Sequence, residues 1–283
     1  MAVALIVHQE RPEAADVARD LVGWLRAHDR TVLVTGPDAE IAGLGEFACD
    51  EDEIGRRAEL AVSLGGDGSM LRAIDLVADD DVPVLGVNFG SLGYLTEVDP
   101  ADVTDALSRV WAGDHQIEER MRAAVTVERA GIAEDPVRVL NESVVEKIES
   151  GRTVHLAVSI DGRFFTTYAA DGLIVATPTG STAYSMSARG PIVAPTHRAL
   201  LLTAVAPHML FDRTLVLEPA SRLRIEVIDD RPCQLALDGQ AGGVLEPGDA
   251  VTVTGAVKSA RLVTFGTRDF QGILKSKFGL NDR

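Results

Sequence analysis

The sequence predicts two domains and a tail: an α/β domain on a mainly parallel sheet, an all-β domain, and a C-terminal helix returning to the first domain. Three observations predict this. Apolar strand-like runs alternate with helical stripes over residues 1–113, period-two segments replace them over 114–266, and residues 267–283 turn helical and basic.

Val3 to Val7 reads as a first strand, and Glu13 to His28 carries a helical stripe of Ala15, Val17, Ala18, Leu21, Val22, Trp24 and Leu25. Thr31 to Thr35 is a second strand. Pro37 to Ile54 is acidic and broken by glycine, which predicts a short helix and a surface loop. The run Leu60, Ala61, Val62, Leu64 is a buried strand that stops at Gly65-Gly66-Asp67-Gly68, and a helical pattern follows from Ser69. Pro83 to Asn88 is another buried strand, and Asp99 to Ala112 opens with helix-start residues and closes before Gly113. Strands then follow strands: Ala123 to Glu128, Val137 to Val145, Val154 to Ile160, Arg163 to Tyr168, Leu173 to Ala176, Leu200 to Val205, Thr214 to Leu217, Leu223 to Val227, Gln234 to Leu237, Ala250 to Thr254 and Arg261 to Phe265. Asp161-Gly162 between two of them is a hairpin signal, and the set predicts a sandwich or layered sheets.

At 283 residues the chain is long enough for two cores. Its net charge of −16 argues against a nucleic-acid or anionic-membrane surface, so any polyanionic ligand must be met locally. No apolar run approaches the roughly 20 residues of a membrane span. The apolar start, Met1 to Val7, is short, lacks a basic lead and runs into His8, Gln9, Glu10 and Arg11, so it reads as a first strand and not a signal peptide, which makes a cytoplasmic address the default expectation. Cys49 and Cys233 have no metal or redox spacing, and the six histidines are scattered, so no metal site from protein side chains is predicted.

Two stretches carry chemistry. In Gly65-Gly66-Asp67-Gly68 a strand passes through a tight turn into a helix. Glycines that take positive φ would bring backbone N–H groups to an anion, and the helix N-terminus adds partial positive charge. An acid in such a turn would repel a phosphate unless it had another task, and accepting a proton from an attacking hydroxyl is one. A βα turn with Asp67 as helix N-cap has the same sequence. The second stretch, Asp171 to Ser187, runs from a strand into a turn packed with small hydroxyl residues, with a short helix expected near Ser181. It offers neutral donors and acceptors for sugar and amide groups, and Tyr184 as a stacking surface. A capping turn with a core tyrosine fits equally. Asn141-Glu142 and Asp238-Gly239-Gln240 also interrupt apolar strands; alone they read as strand-end polarity and a hairpin turn.

In order and spacing these stretches resemble the NAD kinase family, which phosphorylates the 2′-hydroxyl of the adenosine ribose of NAD to give NADP. The signatures are Gly65 to Gly68, Leu85-Gly-Val-Asn88 with Leu92-Gly-Tyr-Leu-Thr-Glu97, Asn141-Glu142, Thr177 to Tyr184 and Asp238-Gly239-Gln240, spread over nearly the whole chain. The resemblance implies a Rossmann-like N-terminal domain and a β-rich NAD-binding domain. It implies that Asp67 activates the hydroxyl, and that Gly65, Gly66, Gly68 and Ser69 form the phosphate turn. Arg72 would reach the ligand, with a solvated helix charge as the alternative, and Tyr94 would pack against a ring. Asn141 and Glu142 would bind sugar and adenine, Arg152 would add charge, with an exposed hairpin arginine as the alternative, and Asp171 would receive the nicotinamide carboxamide. Thr182, Ala183, Tyr184, Ser185 and Ser187 would wrap the dinucleotide, and Gln240 would close the site. A homodimer or homotetramer is implied as well. Two positions depart from the family pattern. Ser69 stands where threonine is usual and keeps the hydroxyl; Ala169 stands where many members carry a basic residue, which removes one polar contact to the dinucleotide.

These residues suit in-line transfer from ATP, another nucleotide or polyphosphate, with Mg²⁺ arriving with the nucleotide. The rivals are a noncatalytic NAD(P)-binding paralogue, for which Asp67 has no use, and other Gly-Gly-Asp-Gly kinases of the phosphofructokinase-like or lipid kinase type. The Thr177 to Tyr184 stretch speaks against the latter, and so does the acidic surface, which no lipid kinase would favour.

Overall fold

The structure is a computed structural model that describes residues 1–90, 93–266 and 269–280. Two compact units form: Met1–Glu119 with Ala260–Arg283, and Arg120–Ser259. In chain order the first unit has β1 (Ala2–Val7), α1 (Pro12–Ala27), β2 (Thr31–Thr35), α2 (Gly36–Ala42), β3 (Ala48–Cys49), α3 (Glu51–Arg57), β4 (Leu60–Gly65), α4 (Asp67–Val77), β5 (Val84–Asn88), α5 (Val103–Trp111) and β6 (Gln116–Arg120). The second has β7 (Ala123–Arg129), β8 (Ile132–Ala133), β9 (Val137–Val139), β10 (Glu142–Lys147), β11 (Val154–Ile160), β12 (Arg163–Ala170), β13 (Gly172–Ala176), α6 (Tyr184–Ser187), β14 (Leu200–Val205), β15 (Leu215–Leu217), β16 (Leu223–Val227), β17 (Cys233–Leu237), β18 (Gln240–Leu245) and β19 (Ala250–Gly255). The chain then returns to the first unit as β20 (Ala260–Thr264) and α7 (Phe270–Phe278).

The first unit's sheet runs β3-β2-β1-β4-β5-β20-β6, with parallel pairing from β3 through β20. Helices cover both faces of such a sheet, which is why β1 is apolar throughout and β4 is buried throughout, Ser63 included. Pro12 in the first turn of α1 fits the place where a missing N–H costs nothing, and Ala14, Ala15, Ala18, Leu21, Val22 and Leu25 bury the helix against the sheet. Strand order reverses between β1 and β4. In open α/β sheets ligands bind outside the carboxyl ends of the strands at that reversal.

The second unit stacks two antiparallel sheets, β15-β14-β13-β10-β17-β18 and β12-β11-β16-β19-β7-β8, with β9 beside β7. Their facing residues form one core: Leu156, Val158, Ile225, Val251 and Val253 from one sheet, Leu173, Val175, Leu200, Leu202 and Leu235 from the other. On the outer face of the six-stranded sheet, Val144, Ile174, Ala176 and Leu201 pack with Ala188 and Val193. Burial on both faces explains why Leu173 to Ala176 is an unbroken apolar run. Asp161 and Gly162, at φ 52° and 77°, make the two-residue hairpin turn that the sequence predicts.

Three expectations change. The strand at 260–264, expected in the β-rich domain, lies parallel to β5 in the first sheet, so the second unit ends at Ser259 and not at residue 266. A strand's apolar pattern reports its burial and not which sheet pairs with it. Residues 37–54 contain α2 and the start of α3, not one short helix with a loop. The helix after the glycine turn begins at Asp67, two residues before Ser69. Ser91, Leu92, Thr267, Arg268 and 281–283 lie outside the described residues, Leu92 among the family signatures and the others in the tail or beside them.

Candidate active site

The Gly-Gly-Asp-Gly turn occupies the carboxyl end of β4 at the strand reversal, where His8, just past β1, donates its N–H to the Leu64 carbonyl at 3.0 Å. None of Gly65, Gly66 and Gly68 takes the positive φ expected of them. The turn needs space instead. A Cβ on Gly65 would lie 2.1 Å from Oγ of Ser69, a residue buried under the turn, whereas a Cβ on Gly66 or Gly68 would meet nothing within 4 Å. The side over Gly66 and Gly68 is open, and the 11-residue helix α4 begins there with N–H groups that have no intrahelical partner.

Asp67 is not the N-cap. Gly66 holds that position, and Asp67 turns its carboxylate to another segment: Oδ2 accepts the Tyr94 N–H at 2.8 Å and Oδ1 the Leu95 N–H at 2.9 Å. Gly93 is required there, because a Cβ would stand 2.4 Å from Oδ1. Both oxygens are thus fixed in direction, and a carboxylate with about four lone-pair sites still has acceptor capacity left. The Tyr94 ring, expected against a ligand, tilts against Phe270 at 6.4 Å between centroids, with the Lys277 ammonium 4.7 Å from its centre. Burial, then the Asp67 charge, raises the Tyr94 hydroxyl above its ordinary pKa.

Arg72 is a clamp on strand ends. Its guanidinium lies 2.6 Å from the fully buried Asp38 and donates to the Thr35 hydroxyl at 3.1 Å and the Val7 carbonyl at 3.3 Å. Asp38 in turn accepts the Val7 N–H at 2.8 Å. Arg72 is paired and part-buried, so a solvated helix charge does not describe it. No motif marks Asp38 in the sequence; an acid directly after a strand and Gly-Pro at a ligand-binding sheet edge is the signal it carries.

In the second unit Asp238 organises the site. With Gly239 it forms a two-residue turn at positive φ between β17 and β18. Its carboxylate also accepts three backbone N–H groups, from Leu140 at 2.6 Å and from Asn141 and Glu142 at 2.7 and 3.0 Å. On the other side Gly180 packs on Asn141, where a Cβ would fall 2.1 Å from the Asn141 carbonyl oxygen, and Thr177 donates its hydroxyl to Leu140. Asn141-Glu142, the 177–184 stretch and the Asp238 turn are therefore one construction.

Glu142 is 6% exposed, its Oε2 has no hydrogen-bond partner, and its pKa is pushed up to about 8. Burial is the main cause and Asp238 the second, partly opposed by the Tyr184 backbone N–H. A protonated Glu142 can donate as well as accept at neutral pH. Because the folded value lies above the ordinary 4.5, the native state holds a proton that the unfolded chain releases between about pH 4.5 and 8. Stability is therefore full below that window and falls as pH rises through it, by at most about 1.4 kcal/mol per pH unit. Glu142→Gln is expected to flatten this loss, with a smaller drop in urea midpoint from pH 5 to 8.5 than the wild type shows.

The remaining predicted residues divide. Tyr184 is exposed, with its hydroxyl 3.5 Å from Glu146 and raised in pKa by burial first, then by Glu146 and Asp171. Thr182 and Ala183 are half-buried beside it, and Ser187 is exposed at the end of α6. Asp171 pairs with Lys147 at 2.6 Å. Gln240 is exposed, immediately past the Asp238 turn. Arg152 is exposed and shares a small pocket with Lys147 and Arg231. Ser185 departs from expectation: it is fully buried, with its hydroxyl 3.0 Å from that of Thr203, so its side chain belongs to the core. A one-turn helix has room for few inward-facing side chains, and in α6 Ser185 is the buried one, against Thr203 of β14.

Among the described residues no group of three or more His, Cys, Asp or Glu could hold a metal ion, and no helix is long and apolar enough to cross a membrane.

Comparison with known proteins places both halves of the chain in one family. The ATP-NAD kinase N-terminal domain profile matches residues 3–115 and the ATP-NAD kinase C-terminal domain profile residues 140–265. The chain is 40% identical to an NAD kinase of Heliobacterium modesticaldum, covering 97% of each, and 38% identical to one of Syntrophotalea carbinolica, covering 96% of each. It is similar to the crystal structure of yeast NADH kinase complexed with NADH, at a TM-score of 0.91 and 26% identity over 100% of this chain and 89% of that one. The fold is also that of an NAD kinase from Archaeoglobus fulgidus in complex with ATP, at a TM-score of 0.73 and 22% identity over 99% and 98%. The chain belongs to the NAD kinase family.

Proposed function

We infer that the chain transfers the terminal phosphoryl group of ATP to the 2′-hydroxyl of the adenosine ribose of NAD, giving NADP. The observation that carries this reading is the Asp67 carboxylate, held by two backbone N–H groups beside an open glycine turn. A binding protein gains nothing from fixing an anion where phosphates are to lie; a phosphotransferase gains a base.

In this mechanism the phosphates rest over Gly66 and Gly68 at the N-terminus of α4, and the 2′-oxygen attacks the γ-phosphorus in line. The hydroxyl proton passes to Asp67 as the new O–P bond forms and the bond to the β,γ-bridging oxygen breaks, releasing ADP. Mg²⁺ enters as part of the nucleotide substrate and offsets the triphosphate charge, which suits a chain of net charge −16. Positioning and charge neutralisation account for most of the acceleration.

The dinucleotide is bound by the second unit. Asn141 and Glu142 take ribose and adenine groups, and the unpartnered Oε2 of Glu142 is a buried atom in want of a ligand. Tyr184 supplies a stacking face, Asp171 accepts the carboxamide, and Thr182, Ala183, Ser187, Gln240 and Arg152 line the path. Arg72 acts by fixing the strand ends under the phosphate turn. The protein works in the cytoplasm as a homodimer or homotetramer.

The test is an assay of purified protein with NAD or NADH, Mg²⁺ and a panel of donors (ATP, other nucleoside triphosphates, polyphosphate). NADP or NADPH formation with ATP is expected. Dinucleotide binding without turnover on any donor would favour the noncatalytic reading.

A further inference from the structure

Lys147 ends β10 directly opposite Asp171. Its backbone N–H donates to the Asp171 carbonyl at 2.9 Å, and its ammonium lies 2.6 Å from Asp171 Oδ1. Gly172 allows this approach, because a Cβ there would be 2.7 Å from the Val145 carbonyl oxygen. The pair is a quarter to a third exposed, so a ligand can reach it. Around it stand Glu146, whose carboxylate meets the Tyr184 hydroxyl, and Tyr184 itself, whose hydroxyl feels the Asp171 charge. Two carboxylates thus flank one exposed ring, and one of them carries a lysine.

The reading above puts the nicotinamide carboxamide on Asp171. NAD brings a pyridinium of charge +1 to that place, and NADH an uncharged dihydropyridine of nearly the same outline. A bare carboxylate would attract the first and not the second. We propose that Lys147 sets the selectivity between NAD and NADH, by cancelling the Asp171 charge at the nicotinamide end of the site. It is a positioning residue that acts through Asp171. With the ammonium in place the ring's own charge counts for little, and the two redox forms are used on more equal terms. Without it the site favours the cation.

The proposal rests on the kinase reading, and the experiment separates the two. kcat/KM is measured for NAD and for NADH at saturating MgATP in the wild type, Lys147→Met, Lys147→Arg and Lys147→Met/Asp171→Asn; Lys147→Gln replaces Lys147→Met if that variant does not fold. The NAD-to-NADH ratio is expected to rise about two- to fivefold in Lys147→Met, to stay near the wild-type value in Lys147→Arg, and to fall back in the double variant. Damage to folding or to the strand end lowers both substrates alike and leaves the ratio alone. An unchanged ratio in Lys147→Met, with activity retained, overturns the proposal and leaves the kinase reading standing. Absence of phosphorylation of either dinucleotide by the wild type overturns both.

Discussion

Asp67→Asn is expected to lower NADP formation about a thousandfold while changing NAD affinity only a few-fold. A positioned general base contributes roughly 10²- to 10⁴-fold, and the dinucleotide contacts assigned above come from the second unit. The geometry adds a second consequence. Both carboxylate oxygens of Asp67 accept backbone N–H groups, from Tyr94 and Leu95. Asparagine keeps one acceptor and turns an NH₂ against the other N–H, so the 93–95 segment loosens at a cost of about 1–3 kcal/mol. Steady-state kinetics with calorimetric NAD titration checks the first effect, and thermal unfolding the second. Turnover within tenfold of the wild type would remove Asp67 as the base.

Asp238→Ala is expected to destabilise the protein by on the order of 3 kcal/mol and to weaken NAD binding at least tenfold. Its carboxylate satisfies the N–H groups of Leu140, Asn141 and Glu142, and charge-assisted bonds to a part-buried carboxylate are among the stronger ones. Removing it leaves three donors to find water and lets the Asn141-Glu142 backbone drift. It also removes the charge that helps raise the pKa of Glu142, so the pH-dependent loss of stability ends at a lower pH than in the wild type. Urea unfolding across pH 5 to 8.5 and NAD titration report both. Asp238→Asn, which keeps one acceptor, is expected to fall between.

Both variants bear on what the sequence could and could not disclose. β1, β2 and β5 and the Asp161-Gly162 hairpin were legible, because local periodicity and turn chemistry determine them. β20 was legible as a strand but not as a member of the first sheet, since its partner β5 is more than 170 residues earlier. β18, Gln-Ala-Gly-Gly-Val-Leu, is not legible as a strand because its glycines erase the alternation that marks a half-buried strand. The site divides in the same way. Asp67 stood out by its place in a glycine turn, but its bonds to residues 27 and 28 positions later have no local signature. The Asp-Gly at 238–239 signalled a turn correctly and hid its second task, because nothing in two residues says that the carboxylate reaches back nearly 100 positions. Ser185 lacks a local signature for the same reason: in a run of hydroxyls, only the tertiary fold decides which one faces Thr203.

The position of the transferred phosphate is the most direct test of the kinase reading. Purified protein is incubated with NAD and MgATP, and the product is tested with a dehydrogenase that accepts only the 2′-phosphorylated dinucleotide, with ³¹P NMR to locate the new phosphate. One ADP is expected per NADP formed, with the phosphate on the adenosine 2′-oxygen. Phosphate on any other oxygen, or ATP hydrolysis without a phosphorylated dinucleotide, would contradict it.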